Sequence, residues 1–132
     1  MPDQTAIDSA LETVIETELG SGIVSLEAEA QGRPAPGKAL LVYNGYSLTR
    51  LPYRQDLCTY EYVLLYLDAG TGDSAAERDT VSDSLEAIRE ALRTDAPTLA
   101  LVHDVRVSNL RVENMSGEQV LGAMTIEAEV IK

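Results

Sequence analysis

The chain has 132 residues, 45% of them apolar, which suits one domain with a modest core and excludes a disordered segment. Its formal charge of −12, from 22 acids against 10 basic residues, argues against a protein that grips nucleic-acid phosphates. There is no Trp or Phe, so the core has to rest on Leu, Ile, Val and Ala, and a single cysteine, Cys58, excludes an internal disulfide or a cysteine-rich metal site.

The start, Met1-Pro2-Asp3-Gln4, has no basic stretch followed by an apolar run, so no signal peptide is expected. No apolar stretch reaches the roughly 18 residues of a membrane span. A first helix is predicted from Gln4 to Leu19, with Ala6, Ile7, Ala10, Leu11, Val14, Ile15 and Leu19 as its apolar stripe and Asp8, Glu12 and Glu16 on another side. Asp3 suits the N-cap, and Gly20 with Gly22 supplies the stop.

Ile23 to Ala30 alternates Val24, Leu26 and Ala28 with Ser25, Glu27 and Glu29, the pattern of a half-exposed strand. The prolines of Gln31–Gly37 make a loop within the domain, since too little chain precedes them to fold alone. Lys38 to Tyr43 is a continuous apolar run and predicts a central strand, ended by a turn at Asn44-Gly45. Tyr46 to Asp56 reads as a polar arm carrying Arg50, Tyr53 and Arg54.

Leu57 to Ala69 predicts a long strand, with Tyr60, Tyr62, Leu64 and Tyr66 on one face and Thr59, Glu61, Val63, Leu65 and Leu67 on the other. Apolar groups on both faces near its end imply cover on both sides, or a neighbouring subunit. Cys58 falls at an alternating position, which suits a buried structural thiol.

The Gly-Thr-Gly of Ala69–Asp73 is not a phosphate loop, because no Lys-Ser/Thr follows and Asp73 would oppose a phosphate. Ser74 and Glu77 form a capping-box pattern that opens a second helix running to about Thr94, with Val81, Leu85, Ile88 and Leu92 as its buried stripe. Asp79 and Asp83 early and Arg89 and Arg93 late suit the helix dipole. Leu99 to Glu113 predicts a strand whose alternation slips, so a bulge near Ser108-Asn109 is expected. Asn114–Gly117 then turns into a final strand from Val120 to Lys132, with Val120, Met124, Ile126, Ala128 and Val130 on one face. Arg106 and Arg111 could face Glu127 or other acids across that hairpin, each contact stabilising by up to roughly 1 kcal/mol.

Residues 1 to 32 hold seven acids (Asp3, Asp8, Glu12, Glu16, Glu18, Glu27 and Glu29) and no Lys or Arg. Three readings fit: a solvated helix face, a non-stick lining or dock for a basic partner, and adaptation to high salt, which the two lysines against 22 acids also suit. Catalytic chemistry is harder to find. His103 is the only histidine, and Asp104 beside it points to the opposite face of a strand. No Ser or Cys has a second His to form a nucleophile–base pair. Many carboxylates are present, but nothing sets one pair apart as a general acid and base. Asp68 with Asp73 is the one carboxylate pair placed for a metal, and it lacks a clustered, rigid loop. No enzymatic activity, cofactor or metal is therefore expected. Arg50, Tyr53 and Arg54 are the candidate contact surface, since Tyr and Arg are enriched among interface anchors; a mobile hairpin loop that happens to carry them is the alternative.

In this order of elements the chain resembles the tail-terminator proteins of Mu-like contractile phage tails. The carriers are the helix Ala6–Ile15, the strands Ala39–Tyr43 and Tyr60–Tyr66, the helix Leu85–Leu92, and the strand Val105–Val112 whose hairpin leads to Thr125–Val130. Together they span roughly residues 5 to 131 in a single domain of 1–132, as a pattern without an invariant motif. The resemblance implies an α+β subunit: a mostly antiparallel sheet of four to five strands, with an N-terminal helix and a second helix packed on it. It further implies a homo-hexameric ring in the virion, assembled in the host cytoplasm, at the head-proximal end of the tail. Such a ring caps the tail tube, stops its polymerisation and presents a surface to a neck or head-completion protein, with the sheath as a further neighbour.

Genomic DNA would slide through such a ring without specific binding, and no membrane is involved. An acidic lumen, for which Asp8, Glu12, Glu16, Glu27 and Glu29 are the candidates, would keep DNA from sticking. Other readings are another neck, connector or tail-completion protein of the same fold, an acidic module that binds a host protein, and a small carboxylate enzyme.

Overall fold

Ile7, Leu11, Val14 and Ile15 are buried along one side of helix α1 (Gln4–Leu19), and Val81, Leu85, Ile88 and Leu92 along one side of helix α2 (Ser74–Thr94). Both stripes recur at helical spacing and have to be covered by something apolar. A computed structural model of the protein describes residues 4–20, 24–26, 37–68, 74–94, 104–114 and 120–131. In it both stripes pack on one face of a five-stranded sheet, so the fold is α+β.

The strands are β1 (Val24–Leu26), β2 (Lys38–Leu51), β3 (Gln55–Leu67), β4 (Asp104–Asn114) and β5 (Val120–Ile131), in the spatial order β1-β2-β3-β5-β4. β1 runs parallel to β2, and every other pairing is antiparallel. Alternate residues feed the core: Ala39 and Leu41 from β2, Cys58, Tyr60, Tyr62 and Leu64 from β3, and Val120, Met124, Ile126, Ala128 and Val130 from β5. Each fully buried Leu or Ile stabilises the fold by about 1.5–3 kcal/mol. Cys58 is fully buried among them as a free thiol, in line with the sequence reading.

α2 lies so close to β5 that the strand needs a glycine. A Cβ at Gly122 would stand 2.6 Å from Val81 Cγ1 and 2.9 Å from Leu85 Cδ1. At the end of α1, Gly20 takes a φ of 121° and its N–H donates to the Glu16 carbonyl at 2.8 Å, the anticipated stop.

The structure corrects one turn. Asn44-Gly45 does not reverse the chain; β2 continues through it to Leu51, and Asn44 is the extra residue where the register shifts between Tyr43 and Gly45. Gly45 spends its positive φ of 111° on that bulge. What the sequence suggested was a polar arm is thus a regular ladder, from Tyr46↔Tyr60 to Leu51↔Gln55, and the reversal falls at Pro52-Tyr53-Arg54. The second bulge lies where the slipped alternation put it, between Ser108 and Arg111, with Asn109 at φ 55°.

Arg106 stands opposite Glu127 in the register, but its guanidinium reaches diagonally to Glu129. Arg111 pairs with Glu113 on its own strand at 3.7 Å. Asp3, Glu27, Glu29, the Gln31–Pro36 loop, Ala69–Asp73, Leu99–His103 and Met115–Gly117 lie outside the described residues.

Candidate functional site

The sheet is not evenly covered along its length. β5 accompanies β3 only as far as Leu57↔Ile131, and β1 accompanies β2 only from Ala39 to Leu41. Beyond Leu57, which pairs with Thr49, the β2–β3 hairpin continues as two strands alone, for two more residues of β2 (Arg50 and Leu51) and the tip. At about 3.4 Å per residue those two residues project roughly 7 Å, to which the tip is added. A two-stranded ribbon is marginal in water without something to pack against.

The hairpin brings Arg50, Tyr53 and Arg54 together at its end, all exposed. Tyr53 is 94% exposed, the most open large apolar side chain among the described residues. Tyr53 and Arg54 hold positive φ angles of 65° and 61° although neither is glycine. That backbone costs about 1–2 kcal/mol per residue, which is unusual at a place with so little packing to enforce it.

Sequence reasoning missed two further members of this surface. Tyr46 and Leu48 are 60% and 57% exposed and share the face of Tyr60 and Cys58, so they extend the helix-covered face of the sheet past its cover. The signal was present: Tyr46-Ser47-Leu48-Thr49 alternates with period two, and Pro52 marks the true reversal. The turn assigned to Asn44-Gly45 hid it. Arg50 and Arg54 hold no ion pair among the described residues, whereas Arg89, Arg93, Arg106 and Arg111 are each paired with a glutamate.

From the arm, a line of tyrosines runs inward. Ring centroids lie 5.8 Å apart for Tyr46–Tyr60, 6.3 Å for Tyr60–Tyr43 and 5.3 Å for Tyr43–Tyr62. The Tyr62 hydroxyl then donates to Asp8 on α1 at 2.5 Å. Burial raises the Tyr62 hydroxyl above its usual value of 10, and the hydrogen bond to Asp8 raises it further. Tyr60 is pushed up to about 12, first by burial and then by its hydrogen bond with Cys58. Asp8 is therefore half-buried and tied to the sheet, where the sequence placed it on an open acidic face. Glu12 and Glu16 are also half-buried on α1.

Acids collect on the face of the sheet away from the helices as well. Glu61 stands opposite Gly45 on one side and Glu127 on the other, in a shallow cavity of about 200 Å³ lined also by Asn44, Tyr46, Ser47 and Thr59. Glu61 is exposed and Glu127 half-exposed, so neither carboxylate is sequestered from water. Of the metal candidates, Asp68 is half-buried after β3 and Asp73 lies outside the described residues; no group of three His, Cys, Asp or Glu side chains forms a metal cluster among the described residues. No described helix is long and apolar enough to cross a membrane.

Comparison of the chain with models of protein families and with curated proteins finds no match to either.

Proposed function

We propose that this chain is a structural virion subunit that assembles into a ring, caps the tube of a phage tail, ends its polymerisation and offers the opposite face to the head or neck. The observation that carries this reading is the projecting β2–β3 hairpin. Among the described residues, Tyr46, Leu48 and Tyr53 are three of the four exposed large hydrophobic side chains: Tyr53 stands on the projecting tip, and Tyr46 and Leu48 lie on β2 just before it, where β5 still flanks β3. Tyrosine and arginine are the residues that most often anchor protein interfaces, and a marginal ribbon that displays them is best explained by a protein surface that receives it.

The mechanism is geometric. One face of the ring matches the last ring of the tube, the other does not, and the next tube subunit finds no seat. Carboxylates on α1 and on the open sheet face supply the negative potential that lets genomic DNA slide past without sticking. Here a neck or connector protein of the same fold differs in its neighbour rather than in its chemistry.

The test is the purified chain added to polymerising tail-tube subunits, followed by electron microscopy. Tubes of limited length with extra density at one end are expected. Tubes that grow to the same length with and without the chain overturn the capping role. Density bound only to head connectors would assign the chain to the neck.

A further inference from the structure

We infer that the hairpin arm of one copy seats on a second copy of this chain, through Tyr46, Leu48 and Tyr53 for contact area and Arg50 and Arg54 for direction. The inference rests on the ring reading above and names the contact that builds the ring.

Charge complementarity selects the occupant. Tyr46–Leu57 carries Arg50 and Arg54 against the single acid Asp56, so the arm is a positive element in a chain whose total is −12. A nucleic acid would have to bring its phosphates against the rest of that acidic surface, at a high electrostatic cost. A second copy brings carboxylates instead, and a guanidinium binds a carboxylate through short, charge-assisted hydrogen bonds. Two chains of −12 repel at long range, but at about 0.1 M salt charges more than roughly 10 Å apart are largely screened while a contact pair is not. Association is then strongest at moderate ionic strength and weaker at both extremes.

The contact also has a direction. The arm is basic and apolar, and the surface that attracts it is acidic, so the two patches are different. When the arm of each copy seats on the next copy rather than being exchanged between two, the interface is head-to-tail, and it closes into a ring where the rotation between copies allows. The arm therefore supplies the asymmetry that ring assembly requires. Its two-stranded tip, Arg50 to Asp56, has marginal packing in a single copy, which fits a segment that is completed by the neighbour.

The experiment compares the full chain with three variants by light scattering and sedimentation at low, moderate and molar salt. The variants are the double R50E/R54E, the conservative R50K/R54K, and a chain with a photo-crosslinking phenylalanine analogue at position 53. The arm tip is solvent-exposed, so the variants are expected to fold, which the circular dichroism spectrum checks. The wild type is expected to self-associate at moderate salt. R50E/R54E should weaken that association by roughly tenfold or more, while R50K/R54K stays within a few-fold. The crosslinker should join copies of the chain into a ladder that the charge reversal removes.

An R50E/R54E variant with wild-type mass overturns the inference and leaves the ring reading standing, because the copies then meet elsewhere. A wild type that is monomeric at every salt and concentration also overturns it, and the tube-capping assay then decides the ring reading alone. Retention of a short DNA duplex by the wild type and its loss in R50E/R54E would overturn the inference in favour of nucleic acid.

Discussion

The Tyr62 hydroxyl donates a 2.5 Å hydrogen bond to Asp8, joining β3 to α1 across 54 positions of sequence. Tyr62 is almost wholly buried, and the bond satisfies a hydroxyl that the core would otherwise leave without a polar partner. It also fixes the N-terminal half of α1 against the base of the hairpin arm.

Tyr62→Phe is therefore expected to destabilise the fold by about 1.5–3 kcal/mol, the range for a hydrogen bond to a charged group. Asp8→Ala should cost a similar amount, and the double variant little more than either. Urea unfolding of the three chains measures this cycle. Costs that simply add would show that the two groups act independently.

The same tyrosines set an alkaline limit. Tyr62 and Tyr60 have hydroxyls held above the ordinary 10, Tyr60 at about 12, mainly by burial. A raised folded value means that the folded state keeps a proton that the unfolded chain releases, so stability is full below pH 10 and falls as the pH rises from 10 through 12. Tyr60 and the groups that titrate with it, Cys58 and the neighbouring tyrosines, share the loss across that window, and Tyr62 adds to it. Unfolding free energies from about pH 8 upward check the slope, and the tyrosinate absorbance shows which rings ionise only on unfolding. A stability that stays level up to pH 12 would contradict the assigned burial.

Much of this architecture was legible from periodicity. The bounds of α1 and α2, the core face of β5 and the bulge after Ser108 follow from apolar spacing, because each element has one covered side and repeats accordingly. Gly45 was not legible in the same way. Asn-Gly favours a hairpin turn and a bulge for one reason, its tolerance of positive φ, and only the pairing partner Glu61 decides between them. The Asp8–Tyr62 contact has no local signature at all, since it depends on where α1 lands on the sheet. At the candidate site, Arg50, Tyr53 and Arg54 were found by residue type, whereas Tyr46 and Leu48 were missed. With a turn assigned to Asn44-Gly45, the stretch from Tyr46 to Asp56 reads as a polar arm, and the alternation that continues the strand through Tyr46 and Leu48 is lost.

Gly122 marks the closest approach of α2 to the sheet. A Cβ there would fall 2.6 Å from the γ-methyl of Val81, whose branched side chain has one strongly preferred rotamer in a helix and cannot swing clear. Gly122→Ala is expected to push α2 outward and cost about 1–3 kcal/mol, despite the better strand propensity of alanine. Thermal unfolding tests it, and the paired variant Gly122→Ala with Val81→Ala should recover part of the loss. An unchanged melting temperature in the single variant would mean that α2 is not seated this tightly.

Two arginines on β4 separate a sheltered ion pair from an open one. Arg106 reaches Glu129, whose side chain is 11% exposed, while Arg111 and Glu113 are 66% and 56% exposed. Removing Arg106 leaves a buried carboxylate without its partner, so Arg106→Ala is expected to cost about 1–2 kcal/mol. Arg111→Ala should stay within about 0.5 kcal/mol. Chemical denaturation in low and high salt discriminates them, because screening should leave the first cost largely in place. Equal costs would remove the distinction.

The hairpin tip offers the sharpest separation of fold from function. Tyr53 and Arg54 sit at φ 65° and 61°, where a side chain is strained and glycine is not. Relief of about 1–2 kcal/mol is partly offset by the extra freedom that glycine gives the unfolded chain, so Arg54→Gly is expected to stabilise by about 0.5–1 kcal/mol. Tyr53→Gly should do the same. Both substitutions also remove anchors of the proposed contact between copies, so self-association should fall while the melting temperature rises. Parallel melting and sedimentation measurements on the same samples read the two signs. A tip kept only for its turn geometry would gain stability and keep its association; one that loses both would show that the positive φ angles are held by packing rather than strained.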